Sequence, residues 1–142
     1  MSYQTQIYEA TKANTDFRRV LYTTEHSQLV LMSVEPGDDI GLETHDLDQV
    51  LVFVSGRARS LLNGREGSIG PGDVVVVPAG TEHNFINIGD EPLKLFTVYA
   101  PPEHPAGTVH RTKADAERAE ALEHAEKSAG TGFTIGSLRG QR

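Results

Sequence analysis

Gly72-Asp73-Val74-Val75-Val76-Val77-Pro78-Ala79-Gly80-Thr81-Glu82-His83-Asn84-Phe85-Ile86-Asn87 reads G-x5-P-x-G-x2-H-x3-N. Four consecutive valines predict a buried strand, and the Pro78–Gly80 segment predicts a tight turn. His83 then opens the next strand. A residue at the head of a strand, just after a rigid turn, has little freedom, so this pattern holds one imidazole at the mouth of a β-barrel.

About thirty residues upstream lies a second spaced pattern, Pro36-Gly37-x5-Glu43-x-His45-x3-Gln49-x6-Gly56. Residues two apart on a strand share a face, so Glu43 and His45 point the same way. Gln49 begins the apolar run Gln49–Val54 and can swing round beside them. With His83 the donors are one carboxylate, two imidazoles and one amide oxygen. Two histidines and a carboxylate suit non-haem iron, and equally zinc, manganese, nickel or cobalt. A hydrogen-bonded cluster without an ion is the alternative for the same residues.

The rest of the chain reads as β until residue 100. Val20–Tyr22, Gln28–Val34, Ala58–Leu62, Asp73–Val77, His83–Ile88 and Leu93–Tyr99 are short runs with turn signals every eight to twelve residues, which predicts an antiparallel sandwich or barrel. Asn63-Gly64 is the strongest hairpin signal. Residues 1–17 are polar and predict a loose arm or an added strand. Pro101, Pro102 and Pro105 stop the sheet. Thr112 and Asp115 have capping-box spacing, and a helix is expected over about 113–127, with a small apolar face of Ala114, Ala121, Leu122 and Ala125. Residues 128–142 read as a flexible tail. The expected organisation is thus an N-terminal arm (1–17), a barrel (18–100) and a C-terminal extension (101–142).

Composition narrows the partners. The chain has 142 residues, a formal net charge of −7 and no cysteine. One domain is expected. The charge disfavours nucleic acid and anionic membranes, and the missing thiols exclude disulfides and thiolate metal sites. The N-terminus has neither the basic start nor the apolar core of a signal peptide. No apolar run approaches the roughly 20 residues of a membrane span, so a soluble, cytoplasmic protein is expected.

Together the two patterns resemble the two motifs of the cupin family, in its small single-domain form. The family's first motif is G-x5-H-x-H-x3-4-E-x6-G. Its spacing is kept here, with Glu43 in place of the first histidine and Gln49 in place of the glutamate. The second motif matches at every fixed position. The resemblance spans about residues 28–100. It implies an all-β antiparallel barrel of the jelly-roll, or double-stranded β-helix, type, here followed by the C-terminal α-helix. It also implies that Glu43, His45, Gln49 and His83 ligate a divalent metal. Exchanging one imidazole for oxygen hardens the site toward zinc, manganese or iron. Cupins commonly pair as homodimers, and the arm with Tyr3 and Tyr8 is a candidate to add to a partner's sheet.

If Gln49 and His83 face inward, so do Leu51, Phe53 and Phe85, which would wall an apolar pocket, and Asn87, which reads as structural. Asp46, Asp48 and Glu82, with Asp38 and Asp39 nearby, form an acidic rim expected to favour a neutral or cationic small molecule. Arg57 and Arg59 fall on the outer face, and His104 and His110 are expected in solvent. Two functions stay open. One is a metal-dependent enzyme of oxygenase, isomerase or lyase type acting on a small polar organic molecule. The other is a non-catalytic cupin that binds or senses a metal or ligand.

Overall fold

The structure is a computed structural model, and it describes residues 1–129. The elements are α1 (Ile7–Ala13), β1 (Arg18–Thr23), β2 (Gln28–Val34), β3 (Asp48–Ser55), β4 (Ala58–Leu62), β5 (Arg65–Ile69), β6 (Val74–Val77), β7 (His83–Asn87), β8 (Leu93–Ala100), β9 (Val109–His110) and α2 (Lys113–Ala129). They form a six-stranded sheet in the order β6-β3-β8-β2-β1-β9 and a three-stranded sheet in the order β5-β4-β7. Every strand pair is antiparallel. Backbone bridges Asp39↔Ile86 and Glu43↔His83 lay the 39–43 segment along the free edge of β7.

Alternation builds the core. On β3, Gln49, Leu51 and Phe53 are buried while Val50 and Val52 are half-buried. Val30, Met32 and Val34 of β2 and Leu93 and Leu95 of β8 join them between the sheets, with Phe85 from the smaller sheet. The Asn63-Gly64 hairpin is as the sequence suggested: both residues have positive φ (52° and 80°), and they link Leu62 directly to its partner Arg65. Gly56 is required for a different reason. Its φ is +94°, and a Cβ there would lie 2.9 Å from the backbone of both Pro92 and Leu93.

Three expectations need correction. The N-terminal segment is neither a loose arm nor a strand across residues 7–13. It is a helix packed on β8, β3 and β2, with Thr11 wholly buried and Tyr8 edge-on to Phe96. Tyr3 stacks on Tyr22 of the same chain at 4.9 Å. The valine run is only half buried. β6 is an edge strand beyond the cover of α1, so Val74 and Val76 are 58% and 61% exposed while Val77 is buried.

The third correction concerns α2. Its capping box forms: the Asp115 amide donates to Thr112 Oγ1 at 3.0 Å, and the Thr112 amide donates to Asp115 Oδ2 at 3.3 Å. The face it turns inward, however, is not the alanine–leucine stripe. Ala114, Ala121, Leu122 and Ala125 are exposed. Lys113, Ala116 and Glu120 face the barrel, at the i, i+3, i+7 spacing of one helix side. Lys113 bonds Asp38 and Asp39, and Glu120 pairs with Arg18 at 3.7 Å. The helix therefore docks chiefly through charge. The expected flexible tail falls almost entirely outside the described residues. Among the described residues no helix is long and apolar enough to cross a membrane.

Candidate metal centre

Two turns bring the spaced patterns together. The amide of Gly80 donates to the carbonyl of His45 at 2.8 Å, and that of Ala79 to Asp48 Oδ1 at 2.9 Å. Glu43 and His83 exchange both backbone hydrogen bonds, at 3.0 and 2.9 Å. As a result one ligand atom each from Glu43, His45 and His83 lies within 4.8 Å of the others. His45 Nε2 is 3.2 Å from Glu43 Oε1, and the two imidazole centroids are 5.3 Å apart.

The outer edges of the rings are engaged elsewhere. His83 Nδ1 donates to the Thr81 carbonyl at 2.8 Å. His45 Nδ1 faces the Glu103 carboxylate at 3.6 Å. The Thr81 carbonyl selects the His83 tautomer with a bare Nε2, the form a histidine takes as a metal ligand. His45 Nε2 instead donates to Glu43 here, a contact that an ion held between the two would replace. Glu103 was not anticipated. It sits in the proline-rich exit from β8, where no periodic pattern marks it.

Gln49 is 4% exposed and points inward from β3. It sits opposite Tyr99, whose ring stands edge-on to His45 with centroids 5.9 Å apart. Its Nε2 donates to Thr97 Oγ1 at 3.1 Å, and its buried Oε1 has no hydrogen-bond partner. A buried carbonyl oxygen without a donor is costly unless something positive faces it. This fits a metal-bound amide oxygen.

Electrostatics keep the carboxylate charged. Burial works to raise the pKa of Glu43, but the hydrogen bond with His45 and the nearby charges of His45, Arg18 and His83 outweigh it and hold it below the usual value. Leu51, Phe53 and Phe85 are fully buried, and the Phe53 and Phe85 rings pack 5.4 Å apart beneath His83. Asn87 is structural: it donates to the carbonyls of Val34 and Glu91, both at 2.9 Å. Arg57 and Arg59 are exposed, as expected.

The acidic rim is less acidic than it reads. Asp46, Asp48 and Glu82 are exposed, but Asp38 and Asp39 are matched by Lys113. The two exit-segment histidines are not simply solvated either. His104 packs edge-on to Tyr99, and His110 Nδ1 lies 3.2 Å from Arg18 Nη1. Beside Glu43, a cavity of about 250 Å³ opens between the Phe17–Arg18 segment, residues 40–43 and the inner side of α2.

The cupin-domain family model matches residues 30–99, which contain all four motif donors. The chain belongs to the cupin family. A solved structure of BH2720 from Bacillus halodurans superposes on this cupin with a TM-score of 0.81 at 43% identity, covering 83% of this chain and 95% of that one. The jelly-roll reading of the fold stands on the same match. The uncharacterized protein YrkC of Bacillus subtilis is 48% identical over 122 residues. That alignment covers 80% of this cupin but 65% of YrkC, just under two thirds of its length. The uncharacterized protein L612 of Acanthamoeba polyphaga mimivirus is 40% identical over 119 residues, covering 77% of this chain and 74% of its own.

Proposed function

We propose that this cupin is a metal-dependent enzyme acting on a small polar organic molecule, with Glu43, His45, Gln49 and His83 as the metal ligands. The observation that carries the reading is the pair of imidazoles whose Nδ1 atoms face oxygen acceptors while Nε2 of His45 points at Glu43. The unpartnered Oε1 of Gln49 supports the fourth position. A donor set of two nitrogens and two oxygens fits zinc, manganese or iron, with nickel or cobalt as further candidates. A divalent ion there would polarise a substrate or water oxygen as a Lewis acid.

The chain's own residues supply the remainder. Thr97 orients Gln49, Thr81 and Glu103 orient the imidazoles, and Leu51, Phe53 and Phe85 keep the floor dry, which strengthens any electrostatic interaction above it. The exposed valines of β6 support a homodimer formed through that sheet edge.

Elemental analysis of purified wild type, His45→Ala and His83→Ala tests the metal. The wild type is expected to carry close to one divalent ion per chain and the variants far less. Equal content in all three sinks the site. Substrate turnover with and without oxygen then separates oxygenase chemistry from isomerase or lyase chemistry. A fully loaded protein with no turnover would leave the binding or sensing role, for which the 3.2 Å Glu43–His45 contact is equally suited.

A further inference from the structure

The cavity beside α2 shares one residue, Glu43, with the histidine–carboxylate cluster. Its wall also holds Arg18, which is 2% exposed. Among the described residues the guanidinium makes a single hydrogen-bonding contact, from Nη1 to His110 Nδ1 at 3.2 Å. Its charge partner Glu120 stands 3.7 Å from that same Nη1 with a half-exposed side chain. Nε is buried and has no acceptor.

A guanidinium has five N–H donors, and its Nε–Nη2 edge matches the two oxygens of a carboxylate. Here Nη1 is engaged by His110 and Nε is closed off from solvent, so an anion in the cavity would meet the guanidinium through its charge and its remaining N–H groups. Among the described residues the half-exposed Glu120 is the carboxylate paired with Arg18, and Lys113 and Glu117 also line the cavity. A buried guanidinium in that position calls for an anion. At about 250 Å³ the cavity lies below the ~300–1,000 Å³ of pockets for drug-sized ligands, so that anion is small.

We propose that this cavity is the substrate site and that Arg18 receives a carboxylate. The substrate is then a small organic acid carrying a second oxygen that reaches the metal on the Glu43 side. This rests on the metal-site reading above and replaces the neutral or cationic molecule that the acidic rim suggested. Two of the five acidic residues behind that expectation, Asp38 and Asp39, are matched by Lys113. Arg18 was passed over in the sequence because it opens a strand.

The test is calorimetric titration of zinc-loaded protein with glycolate, a two-carbon hydroxy acid, and with glycolamide, its neutral amide. Wild type is expected to bind the acid at least about tenfold more tightly than the amide, and Arg18→Gln to lose that preference with zinc content unchanged. Equal binding of acid and amide to the wild type overturns the proposal, and so does a preference that survives in Arg18→Gln, since the metal alone would then explain it. The wild-type comparison needs no variant, so a misfolded Arg18→Gln protein leaves it decisive. Arg18→Lys adds a check, because it keeps the charge without the planar guanidinium and is expected to recover only part of the preference. Chelated protein separates the two readings. An Arg18-dependent acid preference without metal upholds the carboxylate site whatever the fate of the metal site. Stoichiometric zinc with no acid preference upholds the metal and sinks the carboxylate.

Discussion

The amide of Gln49 donates from Nε2 to the hydroxyl oxygen of Thr97 at 3.1 Å. That hydroxyl donates in turn to the Val50 carbonyl at 2.9 Å. With its only proton committed, Thr97 can only accept, so the amide must turn its NH₂ toward it. The orientation of Oε1 follows from β-sheet neighbours rather than from any ligand. Thr97→Val is expected to release the amide and weaken metal binding roughly 10- to 100-fold, as for other partners that orient a ligand. Competition with a chelator measures this. Equal affinity in both proteins counts against Gln49 as a ligand.

Lys113 is the main charge anchor of α2. Burial opposes the charged form of both partners. For Asp39 it is outweighed by the hydrogen bonds and charge of Lys113 and by Asn84, which lower its pKa below 3.8. For Lys113 it is outweighed by Asp39 and Asp38, which raise its pKa above 10.5. The Asp39 contribution is present above its unfolded pKa and lost as pH falls through the folded value. The Lys113 contribution is present below its unfolded pKa and lost as pH rises through the folded value. Lys113→Met should therefore lower stability by about 1 kcal/mol across the window from about pH 4 to pH 10. Denaturant titrations should show the gap closing at both ends. A constant gap at all pH values would argue for lost packing instead.

His104 works in the opposite sense. Burial, with the nearby charges of Arg18, His110 and His45, pushes its pKa from 6.5 down to about 2. Between those values the unfolded chain binds a proton that the fold refuses, so stability falls as pH drops below about 6.5. The expected slope from this residue approaches ~1.4 kcal/mol per pH unit. His104→Gln should flatten the decline in urea titrations. Identical slopes in variant and wild type would refute the assignment.

Val74 and Val76 stand on the uncovered face of an edge strand, which natural sheets seldom leave apolar without reason. Light scattering is expected to give a dimer for the wild type. Val76→Lys, which alters no core contact, should shift it toward monomer with its melting curve otherwise cooperative. A monomeric wild type removes the homodimer.

The alternating strands were legible because their burial is a local, period-two property: Gln49, Leu51 and Phe53 could only share a face. The Asn63-Gly64 turn and the Thr112/Asp115 cap were legible because a few neighbouring residues decide them. Glu43, His45 and His83 were findable by spacing, since two short strand–turn units carry them. The misses are long-range. Glu103 reaches His45 across 58 positions of sequence, and nothing in Pro101–Pro105 signals it. Arg18 occupies an inward position two residues before Val20, where alternation alone would have asked why a cation sits in the core. The α2 face was misjudged because apolar residues usually mark a buried side, whereas here ion pairs with Asp38, Asp39 and Arg18 select it. The exposed half of β6 depends on where α1 ends, which the valines do not encode.

The paired backbone hydrogen bonds between Glu43 and His83 set the spacing of two donor-bearing residues through the sheet itself. An ion arriving at such a site has little chain to order, so it forfeits little conformational entropy on capture. Metal uptake should then show a heat-capacity change near zero, unlike metal-driven folding, where newly buried apolar surface makes it strongly negative. The scaffold is in this sense prepaid: the fold carries the cost of assembling the donors, and exchange of one ion for another can proceed without passing through a loosened barrel.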